Sequence, residues 1–483
     1  MYSVRKKNVK YKVHLLRTFT LILFIASMTL LGIVIHEEFT AVRTAHVLLK
    51  VDPYVVERVL GGQKPVAYVV IEPSNMQFLP PPLKSWRFGS KLILKYRLDD
   101  RLLKLVSKYA IYVSCPRAVS IIEDPLGILR RMVSRELAKS LEEAKKYKGD
   151  IKRVFHKASD RFLGKGVVVA VIDSGIDYLH PDLYENVHAV VSMLVYGNNH
   201  PLVWIKGVNG TWEEAWVYEK EVYESINRYP WMDLLGHGTH VSGIIAGNGY
   251  ASNGTVLGLA PNATIIMVKA FFDNGSSTTD IILNALKWVK EHRYTFNITV
   301  VNLSFGARVP SNGLDPISLA CDELVKMGLI VLAAAGNNYA FPFTISAPAA
   351  GRKVFCIGAI NPYNKKIPLW TAIGPTVDGR IKPDFIAAGV WVLAPKPVTV
   401  KCYFEKVYPV LVYDGYYMYL SGTSMSTAVA SGIVAEWVEW YRYVFRATPS
   451  FRTVYVLLSQ STIRINFLGK DVVSGEGIIV GPR

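Results

Sequence analysis

The chain predicts an open, doubly wound α/β domain with a parallel sheet and helices on both faces, preceded by a small α+β domain and an N-terminal hydrophobic segment. Three observations predict it. Continuous apolar runs recur from residue 164 onward, as strands buried on both faces of a parallel sheet require. Amphipathic helical stretches separate several of them, which is the alternation of a doubly wound sheet. The positive charge is confined to the first third. Of the net +17, residues 1–160 carry 29 Lys and Arg against 14 Asp and Glu, while the remaining 323 residues are almost neutral.

At the N-terminus, Arg5, Lys6, Lys7, Lys10, Lys12 and Arg17 precede the uncharged stretch Thr18–Ile35, and Glu37 and Glu38 follow. Eighteen residues exceed a signal-peptide core of ~7–15 and reach the short end of a spanning helix, ~17–25. No A-x-A signature follows, so residues 1–38 are read as a signal-anchor in preference to a cleaved signal peptide. The positive flank stays inside and the rest is exported, either held at the membrane through residues 18–35 or secreted if the segment is removed.

Residues 39–125 read as a small mixed domain. Pro65–Pro73 and Ala110–Pro125 are strand-like, Asp99–Tyr109 presents a helical apolar face, and Phe78–Trp86 is a loop. Residues 126–162 read as a charged helical linker with several i,i+4 pairs. The basic excess sits beside a hydrophobic segment and in that helix, without the aromatic-laced stripe that nucleic acid demands, so no nucleic-acid partner is expected. The four cysteines, Cys115, Cys321, Cys356 and Cys402, form no CxxC pair, which argues against a structural zinc.

Residues 163–483 form the large domain. Its buried runs are Gly164–Asp173, Ala263–Phe271, Ile298–Phe305, Gly328–Gly336 and Lys353–Ile360, with helices over Thr279–His292 and Pro316–Met327. In such sheets reactive groups gather beyond the carboxyl ends of strands. Asp173 ends the first run, and a carboxylate there is costly without a partner. "GHGTHVSGIIAG" brings His237 and His240, but their spacing and the lack of a glutamate do not match a zinc helix. Asn337 follows a buried strand as a turn former or an amide donor. "LSGTSMSTAVASG" carries Ser424 at a helix start, as a cap or as a nucleophile.

Taken together, "VAVIDSGID", "GHGTHVSG", "VVNLSFG", "AAAGN", "GPTVDGRIKPDFIAAG" and "LSGTSMS" resemble the subtilisin-like serine proteases over residues 164 to about 480. The order Asp, His, Ser separates this from the α/β-hydrolases and the chymotrypsin-like enzymes. The resemblance implies a subtilisin-like fold and a serine endopeptidase acting through Asp173, His237 and Ser424. An oxyanion hole would be made by Asn337 and the Ser424 N–H. Peptide would lie along Ser304, Phe305 and Gly306, with Ala335, Gly336 and Ser346 lining the pocket for the residue before the scissile bond. The substrates implied are polypeptides, and no cofactor or metal is required for the chemistry. A structural calcium is left open, because the loop Gly247–Pro261 holds Asn248 and Asn253 but no acidic residue. Residues 39–125 resemble, weakly, a propeptide that assists folding and occupies the cleft, with excision expected within 124–163.

The pattern is not perfect. Ala428 and Val429 stand where the family has proline and histidine, and Ala388 replaces a proline. Two inserts, Trp212–Glu224 and Lys396–Tyr417, read first as surface elaboration, with bordering the cleft as the alternative. The rival readings are a catalytically silent, membrane-anchored binding protein on the same fold and a metal hydrolase using His237, His240 and Asp182.

Overall fold

The computed structural model describes residues 66–88, 91–98, 102–103, 105–106, 110–114, 118–120, 141–142, 144–145 and 161–482, except 198–199, 308 and 467–468. The hydrophobic segment 18–35, most of the charged linker and Cys115 lie outside them. Among the described residues no helix is long and apolar enough to cross a membrane.

The N-terminal region forms an antiparallel sheet of β1 (Val66–Ile71), β2 (Lys84–Phe88), β3 (Lys91–Arg97) and β4 (Ala110–Ser114), in the order β2-β3-β1-β4. Strands β1 and β4 fall inside the strand-like segments Pro65–Pro73 and Ala110–Pro125. The expected loop at 78–86 ends instead in β2, whose outward Lys84, Ser85 and Arg87 hide the alternation of buried Trp86 and Phe88.

The main sheet contains β6 (Val168–Asp173), β7 (Val187–Gly197), β8 (His200–Ile205), β9 (Thr264–Lys269), β11 (Ile298–Leu303), β13 (Ile330–Ala334), β14 (Phe355–Ile360) and β15 (Phe385–Ala388). Among the described residues its order is β15-β14-β13-β11-β6-β9-β7-β8, parallel throughout except for the antiparallel edge pair β7–β8. Both faces are covered, which is why the strands read as unbroken apolar runs. Val169, Val171, Met267 and Val300 face one core, and Ala170, Ile172, Val268 and Val301 face the other.

The first core is closed by α1 (Trp212–Ile226), α2 (His237–Ala246) and α6 (Thr423–Phe445). The second is closed by α3 (Thr279–His292) and α4 (Pro316–Lys326). A short α5 (Tyr403–Val407) lies in the second insert and α7 (Phe451–Ser461) near the C-terminus. Caps set the starts: Thr278 accepts from Ile281 N ahead of α3, and Asp315 accepts from Ser318 N ahead of α4. Residues 423–438 of α6 are buried on every side, so this helix is a central core element, not a surface stripe.

The N-terminal sheet docks on the outer face of α3 and α4. Its Tyr68, Val70, Trp86, Phe88 and Ile93 join the second core. Trp86 Nε1 donates to Asn284 Oδ1 at 2.8 Å, and Tyr68 Oη and Lys95 Nζ both reach the Asp280 carboxylate. One further strand leaves this region. β5 (Ala118–Ser120) is the middle strand of a second small sheet, antiparallel to β10 (Ser276–Thr278) on one side and to β12 (Gly306–Ala307) on the other.

Trp86 is the largest side chain on the docking face and is 2% exposed. Trp86→Ala is expected to cost about 3–5 kcal/mol. Hydrogen exchange should accelerate in β1 and β3 while the amides of β6 and β11 keep their protection.

Candidate active site

The site begins where β6 ends. Asp173 is fully buried, and its Oδ1 accepts from Ser174 N at 2.7 Å and meets His237 Nδ1 at 2.8 Å. His237 is the first residue of α2. Its helix can approach β6 closely because residue 238 is glycine: a Cβ there would lie 2.1 Å from the Gly175 carbonyl oxygen and 3.1 Å from Asp173 Oδ1. Gly236, at φ 98°, turns the chain into the helix in the left-handed region that favours glycine.

The turn is organised by Asp233, a residue the sequence reading did not single out. Its carboxylate accepts from Ser174 Oγ (2.9 Å), Leu235 N (3.2 Å), Gly236 N (2.8 Å), and both Thr239 N and Thr239 Oγ1 (2.8 Å each). Ser174 Oγ in turn accepts from Gly238 N at 3.0 Å. Asp233 therefore caps α2 and ties it to the residue following Asp173. Burial pushes its carboxyl above the usual carboxylate range. The signal was an aspartate four residues before the first histidine, in a cap-like position.

Ser424 is the second residue of α6, where free N–H groups and the positive dipole end favour negative charge. Strands β16 (Val392–Pro395) and β17 (Tyr417–Leu420) pair antiparallel and deliver the chain to this turn. Gly422 N donates to Gly389 O at 2.8 Å to fix it. The Ser424 hydroxyl donates to the Ser304 carbonyl at 2.9 Å, and Ser304 Oγ donates back to Ser424 O at 3.0 Å. Beneath them Asn302 Nδ2 donates to Ser304 Oγ, and Ser431 Oγ donates to Asn302 Oδ1. The hydroxyl thus hydrogen-bonds to β11's exit and not to the imidazole. Bonds of this kind are often unmade until substrate binds.

Asn337 lies just past β13. Its Oδ1 accepts from Thr423 N and Thr423 Oγ1, both at 3.0 Å, which turns Nδ2 the other way, toward Gly422. Phe305 is buried and packs on Phe271 with ring centroids 5.0 Å apart, and Gly306 opens β12. The sequence-predicted groove residues thus lie on one strand edge beside Ser424, and β5 already runs along that edge.

The peptidase S8 model, described as the subtilase family, matches residues 164–460. The chain belongs to the subtilase family. It is 31% identical to serine protease AprX of Bacillus subtilis (strain 168) over 284 residues, 56% of this chain and 57% of that one. It is 29% identical to subtilisin NAT of Bacillus subtilis subsp. natto over 328 residues, 66% of each chain. This chain spans less than two thirds of the length of these relatives. The solved structure of Sphericase superposes with a TM-score of 0.51, over 68% of this chain and 96% of its own, at 22% identity. That likeness carries the fold alone.

The subtilase's remaining expected residues also converge. Ser346 N lies 3.4 Å from Ala335 O, and a Cβ on Gly336 would sit 3.6 Å from Ser346 Oγ. Ser346 Oγ is buried without a hydrogen-bond partner. The departures at Ala428 and Val429 do not disturb the turn, because both sit inside α6 and are fully buried.

His240 Nε2 faces the Val392 and Met418 carbonyls at 3.1 Å each, and Asp182 accepts from Ala251 N at 2.7 Å and from Tyr417 Oη at 2.6 Å. Among the described residues no three His, Cys, Asp or Glu side chains cluster as a metal site. Asp182 is the carboxylate that borders the loop Gly247–Pro261, and each of its oxygens accepts one of those two hydrogen bonds. Cys321, Cys356 and Cys402 are buried free thiols.

The second insert is more than surface elaboration. Tyr403 N donates to Leu234 O at 2.7 Å, ahead of His237, and Val398 N and Thr399 N donate to Asp177 Oδ2 at 2.7 and 2.8 Å. It is fastened to the loops that carry Asp173 and His237.

Burial holds the His240 imidazole neutral, its pKa lowered to about 3. The unfolded chain takes up that proton near pH 6.5, so the contribution is complete above 6.5 and is lost as pH falls toward 3, by about 1.4 kcal/mol per pH unit. Urea titrations from pH 7 to pH 4 should show this slope, and His240→Gln should flatten it.

Proposed function

We propose that this subtilase is an exported serine endopeptidase working through an acyl-enzyme intermediate. The observation that carries the reading is the buried 2.8 Å contact between His237 Nδ1 and Asp173 Oδ1, next to a groove edge that ends at Ser424. An alcohol is a weak nucleophile and needs an adjacent base. With Nδ1 donating to Asp173, Nε2 is the nitrogen that accepts the Ser424 proton, and Asp173 stabilises the imidazolium that forms. A rotation about the Ser424 Cα–Cβ bond takes the hydroxyl from the Ser304 carbonyl toward the imidazole. The oxyanion then receives Asn337 Nδ2 and Ser424 N. Losing one such donor costs on the order of 3–4 kcal/mol, a magnitude established on this family.

Substrate polypeptide enters as a middle strand between β10 and β12, held by main-chain hydrogen bonds that read backbone before side chains. Phe305, Gly306, Ala335, Gly336 and Ser346 form the walls. No metal or cofactor takes part. Export follows from the charge pattern around residues 18–35, which we assign as the membrane segment.

The N-terminal region acts as the enzyme's own inhibitor. β5 lies where a substrate strand would lie, pairing Ser120 with Gly306 and Val119 with Ala307. The bond to be cut lies beyond β5, within the interval 124–163 expected from the sequence.

The test uses the full chain with and without Ser424→Ala. The unmutated protein should react with a fluorophosphonate, hydrolyse peptide amides and yield a product whose N-terminus lies within residues 124–163. Ser424→Ala should lose labelling, lose turnover by at least about 10⁴-fold, and stay uncut. Labelling that survives the substitution would sink the assignment, and a product starting outside 124–163 would sink the propeptide reading.

A further inference from the structure

Helix α1 belongs to the first insert, outside the motifs that carry the family pattern. It starts with a capping box between Thr211 and Glu214 and is anchored by aromatic packing: Trp212 on Tyr178 at 4.8 Å, Tyr218 on Trp231 at 6.0 Å, and Trp216 on Tyr229 at 5.3 Å. Those contacts suffice to hold a surface helix. Yet α1 also buries one carboxylate completely, Glu219. A buried carboxylate is costly where a hydrophobic residue would pack, so its retention calls for a directional role.

Its partners lie on both sides of the Asp173–His237 pair. Glu219 Oε2 accepts from Tyr178 Oη at 2.6 Å, five residues beyond Asp173. Glu219 Oε1 accepts from Trp231 N and, at 2.9 Å, from Met232 N, just before Asp233 and five to six residues before His237. The two loops are already in contact, since Ile176 N donates to Trp231 O at 3.0 Å. Met232 O accepts from the buried ammonium of Lys269 at 2.6 Å, and Lys269 is the register partner of Asp173 across β6 and β9. One carboxylate therefore joins the exit of the acid's strand to the approach of the imidazole's helix.

We propose that Glu219 is a positioning residue that sets the separation of the Asp173 loop and the His237 turn, so that the insert is part of the machinery that aligns the two side chains. This rests on the endopeptidase reading for its kinetic consequence, but not for its geometric one. Misplacement of a reacting group by about 1 Å is enough to cost ~10²-fold in rate.

The experiment compares Glu219→Leu, Glu219→Gln and Tyr178→Phe in the full chain. Glu219→Leu should lower kcat on a peptide amide by about 10- to 100-fold with KM near the wild-type value. Glu219→Gln keeps an oxygen that accepts from Trp231 N and Met232 N, and should restore most of the loss. The second readout is the low-field proton resonance of the His237–Asp173 hydrogen bond, recorded in a Ser424→Ala background. It should shift or broaden in Glu219→Leu and return in Glu219→Gln. Because the resonance does not need turnover, an inactive wild type would defeat the endopeptidase reading while this measurement still decides the role of Glu219. Should Glu219→Leu not fold, Tyr178→Phe deletes one bond, keeps the ring stack, and should give a few-fold fall in kcat with a smaller shift. An unchanged kcat and an unchanged resonance in Glu219→Leu, or in Tyr178→Phe where Glu219→Leu does not fold, or equal losses in the Leu and Gln variants, overturn the proposal.

Discussion

Everything around the crevice is arranged so that one carboxylate and one imidazole meet without water. Asp173 and His237 come from elements 64 residues apart in sequence, and their contact is buried. Two constraints make it available. The helix must approach the strand end closely enough that residue 238 has no side chain, and the first turn of that helix must be capped by a group that cannot compete for the imidazole. Gly238 meets the first. Asp233 meets the second, because all of its described acceptor capacity is spent on Ser174, Leu235, Gly236 and Thr239. A carboxylate so placed fixes direction as well as energy, since each bond to it has a preferred angle.

The N-terminal region illustrates how a weak local contact is made specific by a larger remote one. β5 is three residues long, and a strand of that length cannot hold itself on a groove edge. The docking of Tyr68, Val70, Trp86, Phe88 and Ile93 on α3 and α4 supplies the apolar burial, and the Asp280 and Asn284 contacts supply the register. Once that sheet is seated, pairing of β5 with β10 and β12 is close to intramolecular, with a high effective concentration.

Legibility followed the physics of each segment. The parallel strands were visible because burial on two faces leaves no polar positions, as in Val168–Asp173 and Ile298–Leu303. The helices α3 and α4 were visible through their periodicity and caps. β2 was not, because its three outward residues are exposed and polar and a proline-rich turn precedes it. At the site, Asp173, His237, Asn337 and Ser424 were legible as motif residues; the fold pairs Asp173 with His237 and sets Asn337 on Thr423, the residue before Ser424. Asp233 was not legible, because a capping aspartate has no signature beyond its spacing. The partner of the Ser424 hydroxyl, the Ser304 carbonyl, was also beyond reach, because a motif does not encode a side-chain rotamer.

The inserts show a different limit. Composition distinguishes an aromatic, acidic segment from a core strand, but not a decoration from a brace. What decides is whether its polar groups end on solvent or on the loops that matter. Tyr417 of the second insert donates to Asp182, and Asp177 receives Val398, Thr399 and Leu179. These are carboxylates of the first motif loop, and the donors that satisfy them come mostly from the added segment. The added segments and the carboxylates they satisfy form one structural unit, and neither is stable in this arrangement without the other, because a buried carboxylate stripped of its donors bears the full cost of desolvation.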